Sequence, residues 1–301
     1  MDRPLDQFKL SIGRVVIHFI AADGVCLKVI EPHSRFLVRD GKPDLTLVVH
    51  FGGLPKLGLE EKLFESGGIW TLYRSGAQYE LTLSAPPTGP VPYQVAVIDS
   101  DFERGDVHTR VVPGSLDGPA AKKEGELTRI NPTAYPLDEV LFVNLLSRGR
   151  GVELHGCGVV LDGQGILFSG VSGAGKSTLA NLWKKRPDVP ILSDDRIIVR
   201  RIDGHFWMFG TPWHGDAKTA LAQGAPLGKV CLIKHSPENY ALPLRASDAA
   251  SRLMVRCFPT FWDRSGMLYT LGLLGEIAEE VPCCELGFVP NESILDFVTK
   301  M

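Results

Sequence analysis

The sequence predicts an α/β protein whose first part is rich in β-strands. Short apolar runs separated by turn residues fill the chain up to about residue 130, a pattern typical of strands. From Pro136 onward, segments with the apolar spacing of helices alternate with strand-like segments, as in a sheet covered by helices. We therefore expect a β-rich N-terminal lobe over residues 1–135 and an α/β domain over residues 136–301.

Six strands are predicted in the first part, where they form a meander. They cover residues 14–20, 25–30, 46–51, 70–73, 79–83 and 93–99. The polar stretch from Asp99 to Lys123, which contains glycine and proline, is expected to lie at the surface or to be flexible.

The second part is predicted to begin with a helix at Leu137, because apolar residues recur there at helical spacing and Pro136 suits the first helical turn. Further helices are predicted at residues 177–186, 246–255 and 268–279, and strands at residues 158–162, 165–169, 189–193, 197–201, 205–209 and 230–234. The Asp203-Gly204 pair lies between two of these strands and predicts a tight hairpin turn.

The overall composition excludes several classes of partner. The net charge is −3 and no run of lysine and arginine exceeds three residues, so neither nucleic acid nor an anionic membrane is an expected partner. No stretch approaches the ~20 apolar residues that span a membrane, and the start lacks a signal-peptide pattern. The six cysteines form no C-x-x-C pair, which favours reduced thiols and a cytoplasmic protein.

A glycine-rich segment matches the phosphate-binding pattern G-x-x-x-x-G-K-[ST] between a predicted strand and a predicted helix. Its glycines allow backbone N–H groups to surround a phosphate, and the helix N-terminus adds partial positive charge. The lysine is expected to bridge the β- and γ-phosphates and the serine hydroxyl to bind Mg²⁺. We therefore expect ATP and Mg²⁺ to bind at Gly170, Val171, Ser172, Gly173, Ala174, Gly175, Lys176, Ser177 and Thr178.

Two carboxylates follow the next predicted strand. Asp194 and Asp195 stand at its carboxyl end, beside the strand that leads into the glycine-rich loop, and this edge of a parallel sheet is where ligands bind. One aspartate is suited to hold Mg²⁺ and the other to accept a proton from an attacking hydroxyl. The alternative is a solvated turn in which the aspartates pair with Arg196.

Residues 154–199 resemble the catalytic domain of the HPr kinase/phosphorylase family. The resemblance rests on the His155-Gly156 step, on the strand pair that runs into the glycine-rich loop, and on Asp194-Asp195-Arg196. It implies a fold similar to that of phosphoenolpyruvate carboxykinase. It also implies that His155 and Asp194 lie beside the transferred phosphate, with Asp194 as the base and Asp195 orienting the site and supporting Mg²⁺. Members of that family are hexamers, so the resemblance implies a homo-oligomer.

Residues 210–218 depart from that family, because they lack its glutamate-and-glycine signature. This argues against HPr itself as the acceptor and against a reverse phosphorylase activity. The segment is instead similar to that of divergent HPr kinase-related proteins, some of which accompany peptide-modifying enzymes. Trp213, His214 and Asp216 either shape an acceptor pocket or form a loop anchored by the tryptophan.

Arg252 and Arg256 lie four residues apart on a predicted helix and face the same way. Either guanidinium is suited to stabilise charge on the γ-phosphate, and Arg256 is favoured because the chain turns directly after it. The alternative is a solvated basic edge of the helix.

The sequence therefore predicts an ATP-dependent kinase that phosphorylates a serine hydroxyl of a protein or peptide. Two alternatives stay open: a small-molecule kinase acting on a hydroxy amino acid, and a nucleotide-binding regulator without catalysis. A Ras-like GTPase and a transporter ATPase are disfavoured, because neither an Asn-Lys-x-Asp element nor an LSGGQ-type signature is present.

Overall fold

The structure, a computed structural model, describes residues 5–85, 91–110 and 128–301 and has a mixed α/β architecture with large sheets. The chain divides into two compact units, Met1–Phe142 and Val143–Met301. The division falls within helix α1 (Leu137–Ser147), whereas the sequence placed a boundary just before that helix. Each unit has its own sheet.

The first unit is built on a nine-stranded sheet. The strands of this unit are β1 (Gln7–Ile12), β2 (Val15–Ala21), β3 (Val25–Leu27), β4 (Leu37–Val38), β5 (Leu45–Gly52), β6 (Glu61–Ser66), β7 (Trp70–Ser75), β8 (Gln78–Leu83), β9 (Gln94–Asp99), β10 (Arg104–Arg110) and β11 (Thr128–Ile130). Strands β3 and β11 pair with each other outside the nine-stranded sheet. A short 3-10 helix covers His33–Phe36. The order is β4-β1-β2-β5-β10-β9-β8-β7-β6. Of the six predicted strands, only those at β7, β8 and β9 follow one another as a meander, which the unpredicted strands β6 and β10 extend. The predicted strand at β5 instead pairs in parallel with β2 and β10.

Strand β10 corrects the expectation that residues 99–123 form a surface segment or a flexible one. It lies inside the sheet between β5 and β9, yet Val107 is its one fully buried apolar side chain. The polar side chains of Asp106 and His108 occupy the opposite face of the strand. With a single buried apolar residue, the segment lacks the apolar alternation by which a strand is recognised in a sequence. Residues 111–123 lie outside the described part of the chain.

The second unit contains eight strands and the remaining helices. They are β12 (Val152–Leu161), β13 (Gln164–Ser169), α2 (Lys176–Trp183), β14 (Ile191–Ser193), β15 (Arg196–Ile202), β16 (His205–Gly210), β17 (Gly224–His235), β18 (Tyr240–Pro243), α3 (Ala246–Met254), α4 (Arg264–Glu280), β19 (Cys283–Phe288) and α5 (Ser293–Thr299). The predicted hairpin joins β15 to β16, with Asp203 and Gly204 both at positive φ, as a type I′ turn requires.

Strand β13 occupies the centre of this sheet. It pairs antiparallel with the second half of β12 and in parallel with β17, which in turn is parallel to β19. The first half of β12 pairs instead with β15, so one long strand serves two parts of the sheet. Residues of β13, β17 and β19 alternate between two apolar clusters, one shared with α2 and α5 and the other with α3 and α4. Helices therefore cover both faces.

Among the described residues, no helix is long and apolar enough to cross a membrane. All six cysteines are free, as the sequence predicted.

Trp183, at the end of α2, belongs to the buried apolar cluster between that helix and the sheet, and substitutions at this position test how tightly the cluster is packed. Its side chain is fully buried against Phe168, and its indole N–H has no hydrogen-bond partner among the described residues. We expect Trp183→Ala to lower the free energy of unfolding by about 3–5 kcal/mol, because it leaves a large cavity. Trp183→Phe should cost less than half as much, because it keeps the ring contact and removes a buried N–H that lacks a partner. Urea unfolding followed by circular dichroism measures both, and equal losses would contradict this account.

Candidate active site

The glycine-rich loop (residues 170–177) connects β13 to α2 and has a backbone that only glycine suits at two positions. Gly173 and Gly175 have φ angles of +79° and +100°, in the left-handed region that other residues rarely adopt. A Cβ at Gly175 would also lie 2.5 Å from a ring carbon of Phe288. The loop leads directly into α2, whose first backbone N–H groups have no partners within the helix.

Lys176 is held inside this loop. Its ammonium donates to the carbonyl oxygens of Gly170 at 2.9 Å and Val171 at 3.1 Å, and the residue is 7% exposed. Burial lowers the pKa of Lys176, and the charges of Arg196 and Arg256 act in the same direction, while one nearby carboxylate opposes them. A phosphate would favour the charged ammonium and relieve this cost.

A cavity of about 390 Å³ lies over the loop. The loop and the start of α2 contribute Ser172, Gly173, Gly175, Lys176, Ser177 and Thr178 to its lining. The rest of the described lining consists of His155, Asp195, Gly215, Asp216 and His235. Most of the residues predicted to bind nucleotide thus face one cavity, whereas Gly170, Val171 and Ala174 do not line it.

His155 and Asp195 form a hydrogen-bonded pair in the wall of this cavity. The imidazole Nε2 lies 2.9 Å from the Asp195 carboxylate, and each side chain is about one quarter exposed, at 25% and 26%. Burial raises the pKa of Asp195, but the hydrogen bond from His155 and the charges of Arg196, His155 and Lys176 outweigh it, so the pKa is lowered. Asp195 is therefore ionised at neutral pH and orients the ring of His155.

Arg196 stabilises the His155–Asp195 pair through a hydrogen bond to Asp195. Its guanidinium donates to the Asp195 carboxylate, lies 3.2 Å from the buried carboxylate of Glu153, and stacks 4.2 Å from the ring centre of Phe258. The backbone N–H of Phe258 bonds to the carbonyl of Glu153, which fixes this aromatic ring beside β12. Charge and packing thus hold the Asp195 side chain in place.

Asp194, the residue expected to act as the base, contacts the backbone of another loop. Asp194 is 1% exposed and is not among the described residues that line the cavity. Its two carboxylate oxygens accept hydrogen bonds from the backbone N–H groups of Ala217 at 2.9 Å and Thr219 at 3.0 Å. The buried carboxylate therefore links the end of β14 to the loop that carries Ala217 and Thr219.

The loop that Asp194 holds, residues 211–220, reaches into the cavity. Thr211 donates to the carbonyl of Arg196 at 2.8 Å, and Gly215 packs so closely on Asp194 that an added Cβ would lie 2.9 Å from its carboxylate. Trp213 is buried and anchors the loop, whereas His214 and Asp216 are exposed. Asp194 therefore positions the segment that brings Gly215 and Asp216 to the cavity.

The two arginines of helix α3 and its end lie outside the lining. Arg256 donates from its guanidinium to the carbonyl of Arg252 at 2.5 Å, and burial lowers its pKa, helped by the charge of Arg252. Its own carbonyl accepts from the N–H of His155 at 2.7 Å, so Arg256 contributes to the site through its backbone. Arg252 pairs instead with Glu285 at 2.8 Å.

His235 is a member of the site that the sequence interpretation missed. It ends β17, the parallel neighbour of β13, and its ring lies 5.1 Å from that of Phe288. A signal was present, because the predicted strand at residues 230–234 ends just before His235. The carboxyl ends of parallel strands meet at one edge of a sheet.

Comparison with known proteins adds little to this picture. No protein-family model matches the chain, and no curated protein matches it. Among solved structures, the Hpr(Ser) kinase/phosphatase from Coxiella burnetii matches at 11% identity with a TM-score of 0.30, over 49% of this chain and 93% of that one. This similarity is distant.

The role of Asp194 predicts a loss of stability on Asp194→Asn. The amide offers one oxygen acceptor and turns an N–H₂ donor toward a backbone donor, which leaves one buried N–H without a partner. We expect the free energy of unfolding to fall by about 1–3 kcal/mol. Asp216→Asn on the same loop is the control and should change it little, because Asp216 is exposed. Urea unfolding measures both, and an unaltered midpoint for Asp194→Asn would refute the positioning role.

Proposed function

We propose that the protein is a Mg-ATP-dependent kinase that transfers the γ-phosphate to a serine hydroxyl of a protein or peptide. The observation that carries the proposal is that the His155–Asp195 pair lines the same cavity as the glycine-rich loop and Lys176. One wall of the cavity thus offers N–H groups and a cation for phosphates, and another offers a polarised imidazole for a hydroxyl proton.

The chemical roles follow from this arrangement. The loop backbone and Lys176 bind the phosphates and offset the negative charge that develops during transfer. His155 takes the proton of the attacking hydroxyl through its ring, while the ionised carboxylate of Asp195 stabilises the imidazolium that forms. Asp194 keeps residues 211–220 in position against the cavity, a different role from that of Asp195 despite their adjacency in the chain.

Mg²⁺ fits the same cavity, because the hydroxyl of Ser177 and the carboxylate of Asp195 both line it. Both are hard oxygen ligands of the kind Mg²⁺ prefers, and Mg²⁺ keeps several waters in such sites. When bound there, the ion would screen the charge of the phosphates.

Exposure at the rim supports a large acceptor rather than a free amino acid. Val171 in the glycine-rich loop is 53% exposed, and His214 and Asp216 on the 211–220 loop are also exposed. Of these three residues, Asp216 lines the cavity, and the other two adjoin residues that line it. A peptide carrying a serine can approach such a rim, whereas a small substrate is better served by an enclosed pocket. We further propose a cytoplasmic location, which suits the free thiols, and a homo-oligomeric state.

The second unit is proposed as a divergent member of the HPr kinase/phosphorylase-like group with a phosphoenolpyruvate carboxykinase-like core. Support comes from the order of its motifs, with His155 on β12, the glycine-rich loop after β13 and the Asp194-Asp195-Arg196 step after β14. Residues 210–218 still depart from that group, so HPr is not proposed as the acceptor.

Nucleotide binding is tested with Lys176→Ala. We expect this change to abolish most of the affinity for Mg-ATP, because it removes the buried cation that faces the phosphates. Lys185→Ala is the matched control, since the Lys185 ammonium is exposed and paired with Glu292, and it should bind as the wild type does. Calorimetric titration measures both, and equal affinities in the two variants would remove the assignment of the loop.

The transfer step is tested with His155→Gln, which keeps a hydrogen-bond donor for Asp195 but cannot take up a proton. Transfer of labelled γ-phosphate to peptide acceptors or free serine should fall by roughly 10²–10⁴, with nucleotide affinity within about tenfold of the wild type. His205→Gln, at an exposed position on β16, is the control.

Asp194→Asn separates the two aspartates in the same assay. Corrected for folded protein, it should retain more activity than Asp195→Asn. The reverse order would restore Asp194 as the base. A wild-type protein that binds Mg-ATP and labels only free serine would favour the small-molecule kinase, and one that labels no acceptor would favour the regulator.

A further inference from the structure

Three side chains that can bind metals meet on the outer face of the nine-stranded sheet in the first unit. His50 on β5 is the register partner of His108 on β10, and Asp106, two residues before His108, shares its face of the strand. On β5 this is the face of half-buried side chains, opposite the buried leucines and valines. We propose that His50, Asp106 and His108 form a binding site for a divalent transition metal such as Zn²⁺.

The geometry of the three side chains is close to that of a metal site. Nε2 of His50 lies 2.7 Å from a carboxylate oxygen of Asp106, and the rings of His50 and His108 stack with centres 4.5 Å apart. One ligand atom from each residue lies within 4.8 Å of the others. Tetrahedral zinc, with bonds of about 2.0–2.2 Å, needs ligand atoms about 3.4 Å apart. Movements of about 1 Å and a rotation of the stacked rings would meet this requirement.

The side chains are accessible to an ion. The side chains of His50 and Asp106 are 34% and 49% exposed, so they can turn and an ion can reach them. Binding of the ion would displace any proton from the imidazole nitrogens that it contacts.

The ligand set selects the class of ion. Two imidazoles and one carboxylate suit Zn²⁺ and its neighbours in the first transition row, whereas Mg²⁺ and Ca²⁺ prefer oxygen alone. Three protein ligands leave a fourth position for water or another small ligand. Because the Asp106 side chain is 49% exposed, that position is open to solvent.

This site is independent of the proposed kinase chemistry. Its three residues belong to the first unit, and the residues of the candidate active site belong to the second. Binding of Zn²⁺ by these three residues therefore does not depend on phosphate transfer in the second unit.

Calorimetric titration of the full chain with ZnCl₂, after removal of metals with EDTA, tests the site. We expect the wild type to bind one equivalent at this site, and His50→Asn and His108→Asn each to lower the affinity for that equivalent by at least about 100-fold. The estimate is a lower bound, because losing a residue that merely orients a ligand already costs 10–100-fold. Absence of Zn²⁺ binding by the wild type would overturn the proposal.

Two histidine variants serve as controls. His18→Asn removes another partly exposed histidine from the same face, where His18 is the register partner of Thr46 and bonds to Gln7. His155→Asn removes the histidine of the second unit that lies beside a carboxylate. Both should bind Zn²⁺ as the wild type does. Retained affinity in His50→Asn and His108→Asn, or its loss in His155→Asn, would place the ion elsewhere and overturn the proposal.

A measurement on the wild type avoids dependence on variants that fold poorly. Imidazole nitrogen resonances followed by NMR during the Zn²⁺ titration should shift strongly for His50 and His108, because nitrogen atoms that bind the ion change their electronic environment. The resonances of His18 should stay in place. Unchanged resonances of His50 and His108 at saturating Zn²⁺ would contradict the site whatever the variants do.

Discussion

The position of β13 between β12 and β17 is the constraint on which the candidate site depends. Backbone pairing aligns Gly156 and Leu232 with the last residue of β13, Ser169. His155, the glycine-rich loop and His235 consequently emerge at one edge of the sheet. Helices packed on both faces prevent these strands from shifting, because a slip of one residue would turn buried side chains toward the wrong layer.

Two adjacent carboxylates acquire different roles because their surroundings differ. Asp194 is buried and bound by backbone amides of the 211–220 loop, and it therefore joins two segments of the chain. Asp195 faces the cavity among His155, Arg196 and Lys176, and its lowered pKa reflects those neighbours. The first interaction builds the shape of the site, and the second supplies its electrostatics.

The first unit shows how a sheet can carry chemistry on its outer face. In β5 and β10, buried aliphatic residues on one side hold the strands in the sheet, so the opposite side is free to carry polar residues. Parallel pairing of these two strands sets His50 against His108. Residues that lie 58 positions apart in the chain thereby stack, with ring centres 4.5 Å apart. The sequence contains both histidines, but only strand pairing makes them neighbours.

The sequence by itself determined the features that depend on a few consecutive residues. The loop of residues 170–177 needs its glycines, the Asp203-Gly204 turn needs positive φ angles, and most strands and helices of the second unit follow local apolar spacing. Only the tertiary structure decided that Asp195, and not Asp194, lines the cavity and that His235 lines it too. Only the tertiary structure decided that the polar strand β10 lies inside a sheet. These outcomes depend on backbone pairing and burial between segments far apart in the chain, which no local pattern encodes.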